Sequence, residues 1–91
     1  MYAALSVNHF ATPEFWFHYR QLSEEVRELA DRCFAILQAD PRHPSLRLKK
    51  VGDFWSARVG LRIRVLAREH PEGFVWFWIG PHDRSEQLIA Q

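Results

Sequence analysis

The chain has 91 residues, 47% of them hydrophobic and 14% aromatic, with 12 Lys and Arg against 11 Asp and Glu for a net charge of +1. That length accommodates one domain, residues 1–91, and the apolar content excludes a disordered chain. One cysteine, Cys33, excludes an internal disulfide, and neither a leader pattern nor an apolar run of membrane length is present, so the expectation is a soluble, cytoplasmic protein away from the membrane.

Leu5-Ser6-Val7 reads either as a short edge strand or as a loose arm. Thr12-Pro13-Glu14 is a helix start, with a capping hydroxyl, proline in the first turn and an early acid. Phe15, Trp16, Tyr19 and Leu22 follow at helical spacing. Ser23-Glu24-Glu25 starts a second helix by the same logic, with Val26, Leu29, Ala30, Cys33, Ile36 and Leu37 on one apolar stripe. Cys33 on that stripe reads as a packed core thiol. Asp40-Pro41 ends the helix. A stiff connector at Arg42-His43-Pro44 leads to Leu46–Val51, read as a short alternating strand, and then to a turn at Gly52-Asp53.

From Trp55 to Ala67 every odd position is apolar or small, while Arg58, Arg62, Arg64 and Arg68 fall on even ones. A period of two marks a half-buried strand pair with one wet face, which here is cationic. The pair should turn at Gly60-Leu61-Arg62. A loop of odd length places Arg58 and Arg64 opposite each other on one face; a two-residue loop separates them. The unbroken parity favours the odd loop. His70-Pro71-Glu72-Gly73 turns into Phe74–Ile79, apolar on both faces and so expected to be the central strand. Val59, Ile63, Val65, Val75 and Phe77 should share a core with Val26, Leu29, Cys33 and Leu37. Trp76 and Trp78 read as core residues, and Asp83 as the cap of a last short helix ending near Ala90. Helices followed by strands and a tail predict an α+β fold, with N-terminal helices packed on a small, mainly antiparallel sheet and a short C-terminal helix.

Charge is segregated along this order. Residues 1–40 hold three arginines against six acids, a net of −3, whereas residues 41–68 hold eight cations against Asp53 alone, a net of +7. Such a patch reads either as a solvated sheet face or as a surface for nucleic acid or an acidic partner. RNA cleavage without a metal needs a base for the 2′-hydroxyl, an acid for the leaving oxygen and cations on the phosphorus. Histidine titrates near neutral pH, and the guanidinium fork stays charged and donates in pairs. His82, Arg64 and Arg58 supply those groups if the strands bring them together. His9, His18, His43 and His70 lack metal-ligand spacing with one another or with Cys33, and no P-loop, dinucleotide fingerprint or nucleophile elbow is present, so neither metal nor cofactor is expected.

The order of two helices, Pro44-Ser45-Leu46-Arg47-Leu48-Lys49-Lys50, Trp55-Ser56-Ala57-Arg58-Val59-Gly60-Leu61-Arg62-Ile63-Arg64 and Trp76-Phe77-Trp78-Ile79-Gly80-Pro81-His82-Asp83 resembles the RelE/ParE superfamily of bacterial type II toxins, from about Thr12 onward. The resemblance implies a toxin neutralised by a cognate antitoxin. It makes Arg64 the arginine that contacts the scissile phosphate, Arg58 its basic neighbour, and His82 the acid/base group after the last long strand. Arg47, Lys49, Lys50 and Arg62 would hold RNA. The RelE branch cuts mRNA on the ribosome, and that activity is the expectation here. The alternatives are a ParE-like inhibitor of DNA gyrase, which is not an enzyme, and an inactive member. One departure is plain: several nuclease members carry a tyrosine in the C-terminal tail, where this chain has Ser85 and Leu88, and its only tyrosines are Tyr2 and Tyr19.

Overall fold

Two capped helices lead into the sheet. In the computed structural model, which describes residues 8–90, Thr12 Oγ1 accepts the Phe15 amide at 3.1 Å and starts α1 (Pro13–Arg20). Ser23 Oγ accepts the Val26 amide at 3.2 Å and starts α2 (Glu24–Ala39). Each side-chain oxygen satisfies an amide that has no partner inside its own helix. Leu5-Ser6-Val7 lies outside the described residues, but a strand does precede α1: β1 (Asn8–Ala11).

After α2, Pro44–Leu46 form a single 3₁₀ turn that ends at Arg47, whose φ of 46° is left-handed. The expected strand from Leu46 is therefore cut to β2 (Lys49–Val51), because the turn takes its first residues. Three antiparallel strands follow, β3 (Phe54–Val59), β4 (Ile63–His70) and β5 (Gly73–Pro81), and α3 (His82–Ala90) closes the described chain. The sheet order is β1-β5-β4-β3-β2, with β1 parallel to β5 and the other pairs antiparallel. β5 is thus interior, but the middle strand is β4. The architecture is α+β, as the order of elements predicts.

Helices α1 and α2 cover one face of this sheet. Leu37, Leu46, Ala57, Ala67 and Trp76 form one buried cluster, and Ala30, Val59 and Ile79 form a second, with Phe15, Cys33 and Val65 packed against both. Val59, Ile63, Val65, Leu29, Cys33 and Leu37 take their expected places, while Val26 is half-buried and joins neither cluster. Val75 and Phe77 do not join the core either. Leu66 pairs with Trp78 but Ala67 pairs with Trp76, so Phe77 is an extra residue in β5. A bulge of one residue inverts the in/out alternation beyond it. Phe74 and Trp76 consequently face the helices before the bulge and Ile79 after it. Phe77 turns to the opposite face, with the Arg68 guanidinium 4.5 Å from its ring centroid and Phe54 at 5.4 Å; Val75 pairs with Arg68 there.

Candidate functional site

The β3–β4 hairpin sets the geometry of the site. Val59 pairs with Ile63 across the three-residue loop Gly60-Leu61-Arg62, which makes Arg58 and Arg64 direct cross-strand partners. Gly60 suits its position for two reasons: its φ is +69°, and a Cβ there would come within 2.8 Å of Leu29 in α2. The tight loop against α2 keeps both arginines on the face opposite the two helices. Both are half-buried, and Arg58 Nε and Arg64 Nη1 are buried with no hydrogen-bond partner among the described residues. Buried guanidinium donors without acceptors are costly by themselves and useful toward an anion. Burial, and then the charges of Arg58 and Arg47, pull the Arg64 pKa below its ordinary value, while Glu86 pulls it up.

His82 reaches the same place from β5. The strand ends at Pro81 and α3 begins at once, one residue before the expected cap at Asp83. The His82 amide donates to the Arg62 carbonyl at 2.7 Å, and Ser85 Oγ donates to the His82 carbonyl at 2.6 Å, so its backbone is held by the hairpin loop and by its own helix. Arg64 Nε donates to His82 Nδ1 at 3.0 Å. On the other side of the ring, His82 Nε2 lies 3.0 Å from Glu86 Oε1, one helical turn on. Arg58, Arg64 and His82, singled out from the sequence, therefore stand at one site. Glu86 does too, although sequence reasoning passed over it; the available signal was its i, i+4 spacing from His82 in a tail read as helical.

The four flanking cations divide between the faces. Lys49 pairs with Ser56 and so shares the Arg58 face, and Arg47 is close enough to act on Arg64 through its charge. Arg62 is exposed in the loop. Lys50 pairs with Trp55 on the other face, where its Nζ is 4.0 Å from Glu69 Oε1, an oxygen that also accepts from Trp55 Nε1 at 2.8 Å. Lys50 stands apart from the arginine pair. Ser85, at one of the two positions where the tail tyrosine would fall, is buried and has no aromatic ring to offer. Among the described residues no three His, Cys, Asp or Glu side chains gather as a metal site, and no helix is long and apolar enough to cross a membrane.

No family model and no curated protein matches the sequence. Solved structures are similar in fold. YafQ from E. coli strain BL21(DE3) superposes with a TM-score of 0.69 at 7% identity, over 87% of this chain and 97% of that one. A chain of the RelB-RelE antitoxin-toxin complex from Methanococcus jannaschii gives 0.67 at 11% identity, over 87% and 96%. The isolated RelE toxin of E. coli gives 0.61 at 16% identity, over 90% and 95%. The fold is that of the RelE-like toxins.

Proposed function

We propose that this protein is the toxin of a type II toxin–antitoxin pair and that it cleaves mRNA on the ribosome without a metal. The observation that carries this reading is the cross-strand pair Arg58 and Arg64, with two buried, unpartnered guanidinium nitrogens beside the His82 imidazole. The scissile phosphate takes those donors. Fixed cations in a partly dry site stabilise the charge that grows on the phosphorane oxygens. His82 removes the 2′-hydroxyl proton; the 2′-oxygen bonds to phosphorus as the bond to the 5′-oxygen breaks, and the leaving oxygen takes a proton from solvent. The products are a 2′,3′-cyclic phosphate and a 5′-hydroxyl. Lys49, Arg47 and Arg62 hold the flanking backbone, and an antitoxin silences the site in the cell.

The test is synthesis of the chain without its partner in a translating extract, with message ends mapped. Cut messages bearing cyclic phosphate ends are expected, and Arg64→Ala combined with His82→Ala should remove them while leaving a folded protein. Arrest without cut messages would reject the nuclease reading, and DNA damage with intact RNA would point to a gyrase inhibitor.

A further inference from the structure

We propose that Glu86 is a positioning residue for His82: it keeps the imidazole proton on Nε2, so that Nδ1 is the basic nitrogen, and Arg64 covers that nitrogen until an anion engages the guanidinium. The inference rests on the role given to His82 above and adds a partner and a regulation to it.

A guanidinium nitrogen has only hydrogens to offer. With Arg64 Nε at 3.0 Å, Nδ1 must present its lone pair, and the proton of the neutral ring sits on Nε2. Nε2 faces Glu86 Oε1 at 3.0 Å, and a carboxylate only accepts. Two partners on different elements, β4 and α3, thus select the same tautomer. Their charges act in opposite senses. The Arg64 cation opposes a proton on Nδ1, whereas the Glu86 carboxylate stabilises the imidazolium that proton transfer creates. While this hydrogen bond stands, the lone pair of Nδ1 is taken and His82 is a masked base.

An anion changes the balance. Arg64 Nη1 and Arg58 Nε have no acceptor, so a phosphate seated between the strands draws the Arg64 fork toward itself and neutralises part of its charge. Nδ1 is then uncovered, with Glu86 alone to keep the ring's tautomer and orientation. Base strength rises only when the group to be cut has arrived. Glu86 is well placed for this because α3 starts at His82, which fixes the one-turn spacing between the two side chains.

The experiment is nitrogen NMR of the folded full-length chain labelled on histidine, above the pH at which the ring protonates. The Arg64→Met variant removes the cover, and His82 should keep a pyridine-type Nδ1 and a pyrrole-type Nε2. Adding Glu86→Ala should spread the ring over both tautomers, while adding Glu86→Gln, whose side-chain oxygen still accepts, should restore the single form. Titrating the unaltered protein with inorganic phosphate should move the Nδ1 nitrogen shift toward that of the uncovered nitrogen in Arg64→Met. Scrambled tautomers in Arg64→Met alone, or a double variant with Glu86→Ala that keeps one tautomer, overturns the assignment to Glu86; an Nδ1 shift indifferent to phosphate overturns the cover. In the cleavage assay, Glu86→Ala should lower kcat roughly tenfold at unchanged KM, with Glu86→Gln recovering most of it. If the unaltered chain cuts no RNA, the nuclease reading fails on its own and the NMR still decides the role of Glu86.

Discussion

Arg58 on β3 and Arg64 on β4 face each other directly, one pair in from the hairpin loop, and among the described residues no carboxylate is hydrogen-bonded to either. Like charges opposed across strands destabilise a sheet, and burial enlarges the effect. On the function proposed above, such a pair gives up stability for a site that accepts an anion. Replacing Arg58 by Met keeps much of the buried stem and removes the repulsion. Arg58→Met is expected to raise unfolding stability by about 0.5 kcal/mol, read as a higher denaturant midpoint at unchanged slope. The same variant should bind phosphate or single-stranded RNA more weakly. A less stable Arg58→Met protein would mean that the pair is structural and not a strained anion site.

The hairpin was readable from the chain because its signal was purely periodic. Seven odd positions from Trp55 to Ala67 demanded a single face, and only an odd loop satisfies them. Both helix starts were readable for a local reason, since Thr12 and Ser23 bond amides three residues away. Phe77 was not. Phe74 to Ile79 is apolar at every position, so no alternation exists for a bulge to interrupt, and which rings face the helices is decided by pairing with β4. β1 was hidden differently, because its parallel contact with β5 links residues more than sixty positions apart. Half of the site followed the same logic: parity gave the arginines, while Glu86 becomes visible only when α3 starts at His82 and not after it.

Trp78 and Gly80 lie two positions apart on β5, and the indole lies over the glycine. A Cβ at Gly80 would meet the ring at 2.7 and 2.9 Å, and Gly80 pairs with Arg64. Since Trp78 is buried, the ring has little room to retreat. Gly80→Ala should cost roughly 1–3 kcal/mol of stability as an overpacked site, with a shifted tryptophan emission and weaker anion binding, because the strand that leads into His82 is displaced. An alanine variant with unchanged midpoint and emission would show that the indole swings away freely.

His9 on β1 accepts the Trp76 indole N–H at its Nδ1, 3.0 Å away, and Phe34 and Phe74 lie beside the ring. Burial lowers its pKa below the ordinary histidine value. A lowered folded pKa means that the unfolded chain takes up the proton first. The contribution is complete above the unfolded value, roughly 6.5, and is lost as pH falls below it toward the folded one. Thermal stability of the unaltered chain should therefore drop on acidification from about pH 7 to about pH 5 by more than that of His9→Gln. Parallel curves for the two proteins would remove His9 from the account.

Cys33 sits against both core clusters, and burial pushes its thiol pKa up; the Gly60 backbone and the Arg32 charge only partly oppose this. Attack requires the thiolate, so alkylation of the folded protein near neutral pH should be much slower than that of a denatured control. A thiol reacting equally fast in both states would place Cys33 at the surface.

Arg47, Lys49, Arg58 and Arg64 supply one connected cationic region, whereas Lys50 is turned to the other face beside Glu69. RNA binding releases counterions in proportion to the phosphates neutralised, so the logarithm of affinity falls with the logarithm of salt at a slope of about 0.7 per contact for single strands. A single-stranded RNA with its 2′-hydroxyls replaced, so that it cannot be cut, isolates binding from cleavage. Neutralising Lys49 or Arg47 one at a time should reduce that slope by about 0.7 each and leave stability nearly unchanged, because both are exposed. Lys50→Ala should leave the slope where it was. The contrast between neighbouring lysines follows from strand parity alone: Lys49 pairs with Ser56, on the face of Arg58, and Lys50 pairs with Trp55, on the face of the helices. Equal loss of slope from the two lysines would mean that RNA wraps the β2 edge and does not lie across the arginine face, and the phosphate contacts would then have to be sought on both sides of that edge.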